Sequence, residues 1–175
     1  MSLGKLCAAS SKCRYFLVWP NMINENGYQE VVVILPYVGD KVLMQLRDLK
    51  PSIAFPGNWG FFGGSIEVGE KPIQSADREL YEEIGFKAEK LYEIGTAELP
   101  RELGKFINHS FFCALTTSME NLILREGLDL GLFSLEDVKT KLLYSPKMNK
   151  DFPVVPSGYV AGTIEKMWSI LGKRG

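Results

Sequence analysis

The chain has 175 residues, of which 46% are hydrophobic and 23% charged, enough to bury the core of one globular domain, which excludes a miniprotein held by staples. Its formal net charge is −1 with Lys and Arg dispersed, so no basic stripe selects a phosphate backbone and no nucleic-acid partner is expected. Three cysteines, Cys7, Cys13 and Cys113, form an odd set without metal-ligand spacing. The opening MSLGKLCAASSKCRYF lacks an apolar leader run, and nowhere do about 18 apolar residues follow one another. Reduced thiols, a cytoplasmic location and no membrane contact are expected. Residues 1–175 read as one domain, with 1–13 outside its ordered part.

Residues 14–19 form a short apolar run ahead of Pro20 and a polar stretch to Gly27, which predicts an edge strand and a loop. Residues 28–37 are rich in β-branched side chains, Gly39-Asp40 turns the chain, and 41–47 complete a hairpin expected at the centre of a sheet. A proline-bearing loop over 51–57 leads into Trp59-Gly60-Phe61-Phe62-Gly63-Gly64. Phe61 and Phe62 read as core, while Trp59 is balanced between core and an exposed aromatic. Gly63 and Gly64 allow a tight turn and a close approach of backbone to a ligand.

Pro72 suits a first helical turn and Gly85 the position past a last one, so a helix is predicted over 71–84. Ile73, Ala76, Leu80 and Ile84 share one side and should face a core. At about 100° per residue, Glu79, Glu82 and Glu83 gather on another side. Like charges three and four residues apart repel, and anions near a helix C-terminus oppose its dipole, so this patch breaks two local rules. A hard divalent cation such as Mg²⁺ or Mn²⁺ relieves both, because it prefers carboxylate oxygens. The competing reading is a solvated acidic face, the commoner state of an isolated glutamate pair.

The order of residues here is Gly64, five residues, Glu70, seven residues, Arg78-Glu79-Leu80, one residue, Glu82-Glu83, one residue, Gly85-Phe86. It resembles a complete Nudix box, the signature of Nudix hydrolases. The resemblance covers 23 residues, Gly64 to Phe86, and the elements on either side are compatible with the same fold. It implies an α/β protein, a Nudix-like α/β/α sandwich with a mixed β-sheet and the catalytic loop-helix. It also implies Mg²⁺- or Mn²⁺-dependent hydrolysis of a nucleoside diphosphate linked to another group. On this resemblance Glu79, Glu82, Glu83 and the Gly64 carbonyl are metal ligands. Arg78 pairs with a carboxylate, with Glu70 as its partner or as an outer ligand. The segment carrying Trp59 lies beside the substrate. A glutamate in a loop after the box, here Glu126 before Gly127, reaches the metal or the attacking water, with Asp129 as competitor.

After the helix, 87–99 and 105–116 predict an antiparallel pair turned by 100–104. His109 inside the second run reads as structural, and the sequon Asn108-His109-Ser110 carries no meaning without secretion. Leu130 to Phe133 precede Ser134, which should cap a short helix over 135–142. A polar loop is expected over 144–157. Ser157 should cap a last helix over 158–171, whose Val160, Ile164, Met167, Trp168 and Leu171 would cover the second side of the sheet.

A pyrophosphate resists water because its oxygens repel nucleophiles and its leaving group carries charge; a divalent cation answers both, and no covalent enzyme intermediate is expected. Arg47 and Arg101 are candidates to clamp phosphates, Trp59 to border the substrate, and the loop 146–151 to choose it. The leading substrate is a nucleotide sugar or ADP-ribose type compound. Nucleoside triphosphates in a house-cleaning role come second and dinucleoside polyphosphates third. A non-catalytic nucleotide sensor is a different class, disfavoured because every acidic position of the box is intact. The expected partner is a small-molecule nucleotide, with a homodimer left open.

Overall fold

The computed structural model describes residues 24, 26–99 and 105–173. The expected strand at 14–19, the turn 100–104 and Arg101 lie outside these residues. Strand β1 (Gln29–Val38) carries a run of β-branched residues and returns through Gly39, at φ 59°, into β2 (Lys41–Leu46). β1 also pairs in parallel with β5 (Phe106–Ala114), from Gln29↔Phe106 to Tyr37↔Ala114. Outside it, β4 (Tyr92–Glu98) runs antiparallel to β5, as expected for the second pair. On the other side β2 pairs antiparallel with β3 (Trp59–Gly60) and β6 (Asp129–Ser134), which completes a mixed six-stranded sheet.

The hairpin ladder between β1 and β2 is confined to its turn, Tyr37↔Val42 and Val38↔Lys41. Beyond it the two strands diverge, and the glycine segment enters the gap. Ile34 N–H donates to Phe62 O and Val32 N–H to Gly64 O, both at 2.9 Å. That split in the sheet positions the site.

Alternation along the strands sorts the core into two layers. Leu35, Val42, Met44, Leu46 and Phe112 face one layer; Val32, Ile34, Leu43, Phe111 and Cys113 face the other. Helix α1 (Pro72–Ile84) covers the second layer with Ala76, Leu80 and Ile84, all 0% exposed. Gly85 ends it in the left-handed region at φ 66°. Ile73 is a correction: at 47% exposed it faces solvent, because the buried face of α1 begins only at Ser75 and Ala76.

The first layer is closed by α2 (Leu135–Lys139), through Val138, and α3 (Ser157–Gly172), through Val160, Ile164 and Met167, with Trp168 and Leu171 packed at the margin. Ser134 caps α2 as expected, accepting from Asp137 N–H at 3.1 Å. The helix is shorter than the expected 135–142, because Lys141 takes a positive φ of 68° and the next strand begins at Leu142. Pro156, rather than Ser157, holds the N-cap position of α3. The expected loop 144–157 is also corrected. β7 (Leu142–Ser145) and β8 (Lys150–Pro153) form an antiparallel hairpin, with Asn149 in the left-handed region of its turn.

His109 is structural, as expected: its ring bridges β1 and β4, with Nε2 2.9 Å from Glu30 Oε2 and Nδ1 3.1 Å from Thr96 Oγ1. Cys113 is a buried free thiol, pushed up to about 12 by burial. Among the described residues no helix is long and apolar enough to cross a membrane.

Candidate active site

The C-terminal half of α1, the Gly63-Gly64-Ser65 segment and the loop before β6 enclose a polar cleft of about 640 Å³. Glu79, Glu82, Glu83, Arg78, Arg47 and Glu126 all line it. The three box glutamates differ sharply in surroundings. Glu82 is exposed, the Glu79 side chain is 15% exposed, and Glu83 is 5% exposed. Glu83 accepts from Gln45 Nε2 at 2.9 Å and from Gly63 N–H at 3.1 Å. Burial, reinforced by the nearby Glu79, still pushes its carboxyl up to about 8 against those donors and Arg47. Burial raises Glu79 too, in spite of Arg78.

Arg78 is the hub of the web. Its Nε and Nη2 grip Glu70 bidentately at 3.0 and 2.9 Å, while Nη1 donates to Glu79 at 2.7 Å and to Glu82 at 3.1 Å. Nη2 also reaches Ser65 O at 3.2 Å, which ties the glycine loop to the helix. The Glu70 hydrogen bonds raise the Arg78 pKa, and Arg78 in turn holds the Glu70 carboxyl below its ordinary range. The pairing of Arg78 with Glu70 expected from the resemblance is present.

The two glycines have separate jobs. Gly63 sits at φ 139°, and a Cβ there would fall 2.0 Å from Val32 O. A Cβ on Gly64 would meet the Glu79 carboxylate, 2.5 Å from Oε1. Only a bare backbone lets that carboxylate lie over the loop. The Gly64 carbonyl already accepts Val32 N–H, which leaves one lone pair for a further partner.

Oxygen-only donors, two of them raised in pKa chiefly by burial and further by neighbouring carboxylates, fit a hard divalent cation. As the side chains stand, no group of three described carboxylates converges at ligand distance. Arg78 Nη1 stands between Glu79 and Glu82 instead.

A second pocket of about 560 Å³ opens from the same cleft, with Arg47, Ile53 and Gly63-Gly64-Ser65 on the shared rim. Its walls are apolar: Val31, Val33, Phe55, Phe61, Phe106 and Val160 among them. Arg47 is anchored there by Nε donating to Ala54 O at 2.8 Å. Burial lowers its pKa, opposed by Glu83, Glu126 and Asp48.

Trp59 is corrected. It is 0% exposed, packs edge-on against Phe133 at 4.8 Å between centroids, and donates from Nε1 to Leu143 O at 2.9 Å. No face of it reaches either pocket. Asp129 is likewise outside the cleft. Its Oδ2 accepts from Ser145 Oγ at 2.5 Å and Lys147 N–H at 3.2 Å, holding the β7–β8 turn. The loop 146–151 lines neither pocket. Gln45, which orients Glu83, escaped the sequence reading; its only signal was an amide within the apolar run KVLMQL.

A mixed sheet between helical layers, with a glycine loop and an acidic helix at a split in the sheet, defines the class of this protein. The NUDIX domain family model matches residues 27–155, and the chain belongs to that family. The family hydrolyses pyrophosphate bonds and generally uses divalent metal ions. The fold resembles that of the MutT protein from Methanosarcina mazei Go1, with a TM-score of 0.62 at 19% identity over 79% of this chain and 91% of that one. An RNA pyrophosphohydrolase of Francisella philomiragia is 36% identical over 67 residues, 38% of this chain and 39% of that protein. An oxidized purine nucleoside triphosphate hydrolase of Danio rerio is 46% identical over 39 residues, 22% of this chain and 25% of that protein. Both matches span well under half of the relative's length.

Proposed function

We propose that this protein is a hydrolase, dependent on Mg²⁺ or Mn²⁺, that splits the pyrophosphate linkage of a nucleoside diphosphate joined to another group. The observation that carries the reading is the adjacency of the Glu79, Glu82 and Glu83 cleft to an apolar pocket across a rim bearing Arg47. Glu79, Glu82 and Glu83, with the Gly64 carbonyl, would hold the cation. The chemistry such a cation would supply is neutralisation of phosphate oxygens and a lower pKa for an attacking water. Gln45 and Gly63 N–H hold the Glu83 carboxylate in one orientation, and Arg78, itself gripped by Glu70, does the same for Glu79 by a direct hydrogen bond. Arg47 meets phosphate at the rim, Glu126 faces the cleft and assists the water, and the apolar pocket takes the base.

The outer cleft is polar, which suits the sugar of a nucleotide sugar or ADP-ribose type substrate, and this remains the leading class. Nucleoside triphosphates are the second reading. Lys50 and Arg125 also line the cleft and suit further phosphates, and the two relatives are named for an RNA pyrophosphohydrolase and a purine nucleoside triphosphate hydrolase. Product analysis over nucleotide sugars, ADP-ribose, triphosphates and dinucleoside polyphosphates, with Mg²⁺ and with excess EDTA, separates them. Glu83→Gln keeps shape but removes charge, and should lower kcat by about a hundredfold or more. Binding without turnover of any of these compounds would replace the enzyme with a nucleotide sensor.

A further inference from the structure

The loop that carries Glu126 is stapled to two elements. Ile123 N–H donates to Ile84 O at 3.0 Å and Arg125 N–H to Glu83 O at 2.8 Å, so the residue just before Glu126 is hydrogen-bonded to the backbone of a box glutamate. These carbonyls are the unpaired acceptors that every helix leaves at its C-terminus. The Arg125 side chain adds a third tie: Nη1 donates to Tyr81 O at 2.8 Å, and the guanidinium lies over the Tyr81 ring at 5.0 Å. A cation there also suits the negative end of the helix dipole. On the far side of Glu126, Leu128 N–H donates to Leu46 O at 2.7 Å. Gly127 between them sits at φ 91°, where a Cβ would lie 2.8 Å from that same carbonyl. Glu126 is therefore the crest of a bridge from the last turn of α1 to the end of β2.

Building on the role for Glu126 given above, we propose that Arg125 is a positioning residue: clamped to Tyr81, it sets the distance between Glu126 and the box carboxylates. The clamp and the carboxylates share one helix, so the loop moves with α1 as a unit. An arginine lining the cleft has a second use, direct phosphate binding, and kinetics separates the two. A positioning residue acts through Glu126, so its loss lowers kcat with KM unchanged, and nothing further is lost once Glu126 has gone.

The experiment is a double-mutant cycle of Arg125→Ala and Glu126→Gln in the full chain, with Glu83→Gln as reference and the best substrate from the product screen. Arg125→Ala should lower kcat about tenfold to a hundredfold, as for a slightly misplaced catalytic group. Arg125→Lys should recover part of that loss, and Arg125→Ala with Glu126→Gln should be no slower than Glu126→Gln alone. Losses that multiply in the double variant, a raised KM at unchanged kcat, or a wild-type rate for Arg125→Ala would each overturn the proposal. If Glu126→Gln is silent while Glu83→Gln is inactive, the carboxylate centre stands, the Glu126 role fails, and the positioning role falls with it.

Discussion

Adjacent residues in this site serve different masters, and small substitutions separate them. Gly63 and Gly64 look alike in the chain, yet a side chain on Gly63 meets fixed backbone while one on Gly64 meets the movable end of Glu79. Gly63→Ala should cost about 2–4 kcal/mol of stability, read as a fall in denaturation midpoint. Gly64→Ala should leave the metal-free midpoint nearly unchanged and instead raise the Mg²⁺ concentration needed for half-maximal activity, because Glu79 is pushed off the loop. Equal stability losses in both variants would remove the distinction. Trp59 is judged in the same way. Loss of its hydrogen bond to Leu143 O and of packing volume should make Trp59→Phe about 1–3 kcal/mol less stable, with KM unchanged. A KM that rises with no change in stability would return it to the substrate.

At the scale of elements, the helix that carries the chemistry is also the best specified. Pro72 opens α1, Gly85 closes it, and Ala76, Leu80 and Ile84 seat it on the sheet, all through interactions within a few residues or through one apolar stripe. The β7–β8 hairpin is the opposite case. Its strands are only four residues each, and its turn is held from a distance by Asp129 on β6. Asp129→Asn removes the charge behind the two hydrogen bonds accepted from the hairpin. It should cost about 1–2 kcal/mol, seen in thermal melts, while kcat stays within about twofold of wild type. A large fall in kcat at unchanged stability would place Asp129 in the chemistry and take that role from Glu126.

For the whole molecule, folding, protons and metal are linked through Glu79 and Glu83. Both carboxyls are raised in the fold, so in the metal-free state these two groups bind more protons in the folded chain than in the unfolded one. Their contribution to stability must then fall as pH rises from the ordinary glutamate range to about 8, the value for Glu83. Metal binding needs the ionised carboxylates, so the rise in melting temperature caused by Mg²⁺ should grow over that interval. At a hundred times its dissociation constant the cation should add about 2.7 kcal/mol. Melts from pH 5 to 9, with Mg²⁺ and with EDTA, test the sign, and Glu83→Gln should flatten the metal-free curve. A metal-free protein that gains stability from pH 5 to 8 would contradict it.

The sequence by itself determined the parts whose cause is local. The helix ends follow from Pro72 and Gly85, the β1–β2 hairpin from Gly39-Asp40, the glycine loop from Gly63-Gly64, and the acidic patch from helical spacing of Glu79, Glu82 and Glu83. The family was legible for the same reason, since its box is one continuous segment. Tertiary structure alone decided what depends on partners far along the chain. It made Glu83 buried and Glu82 exposed, because Gln45 on β2 faces only one of them. It put Trp59 under β6 and β7, gave Asp129 to a hairpin 16 residues away, and set Arg47 on the rim between the polar cleft and the apolar pocket. A carboxylate's spacing on a helix is written in the chain, whereas its depth below the surface is fixed only when the sheet closes over it.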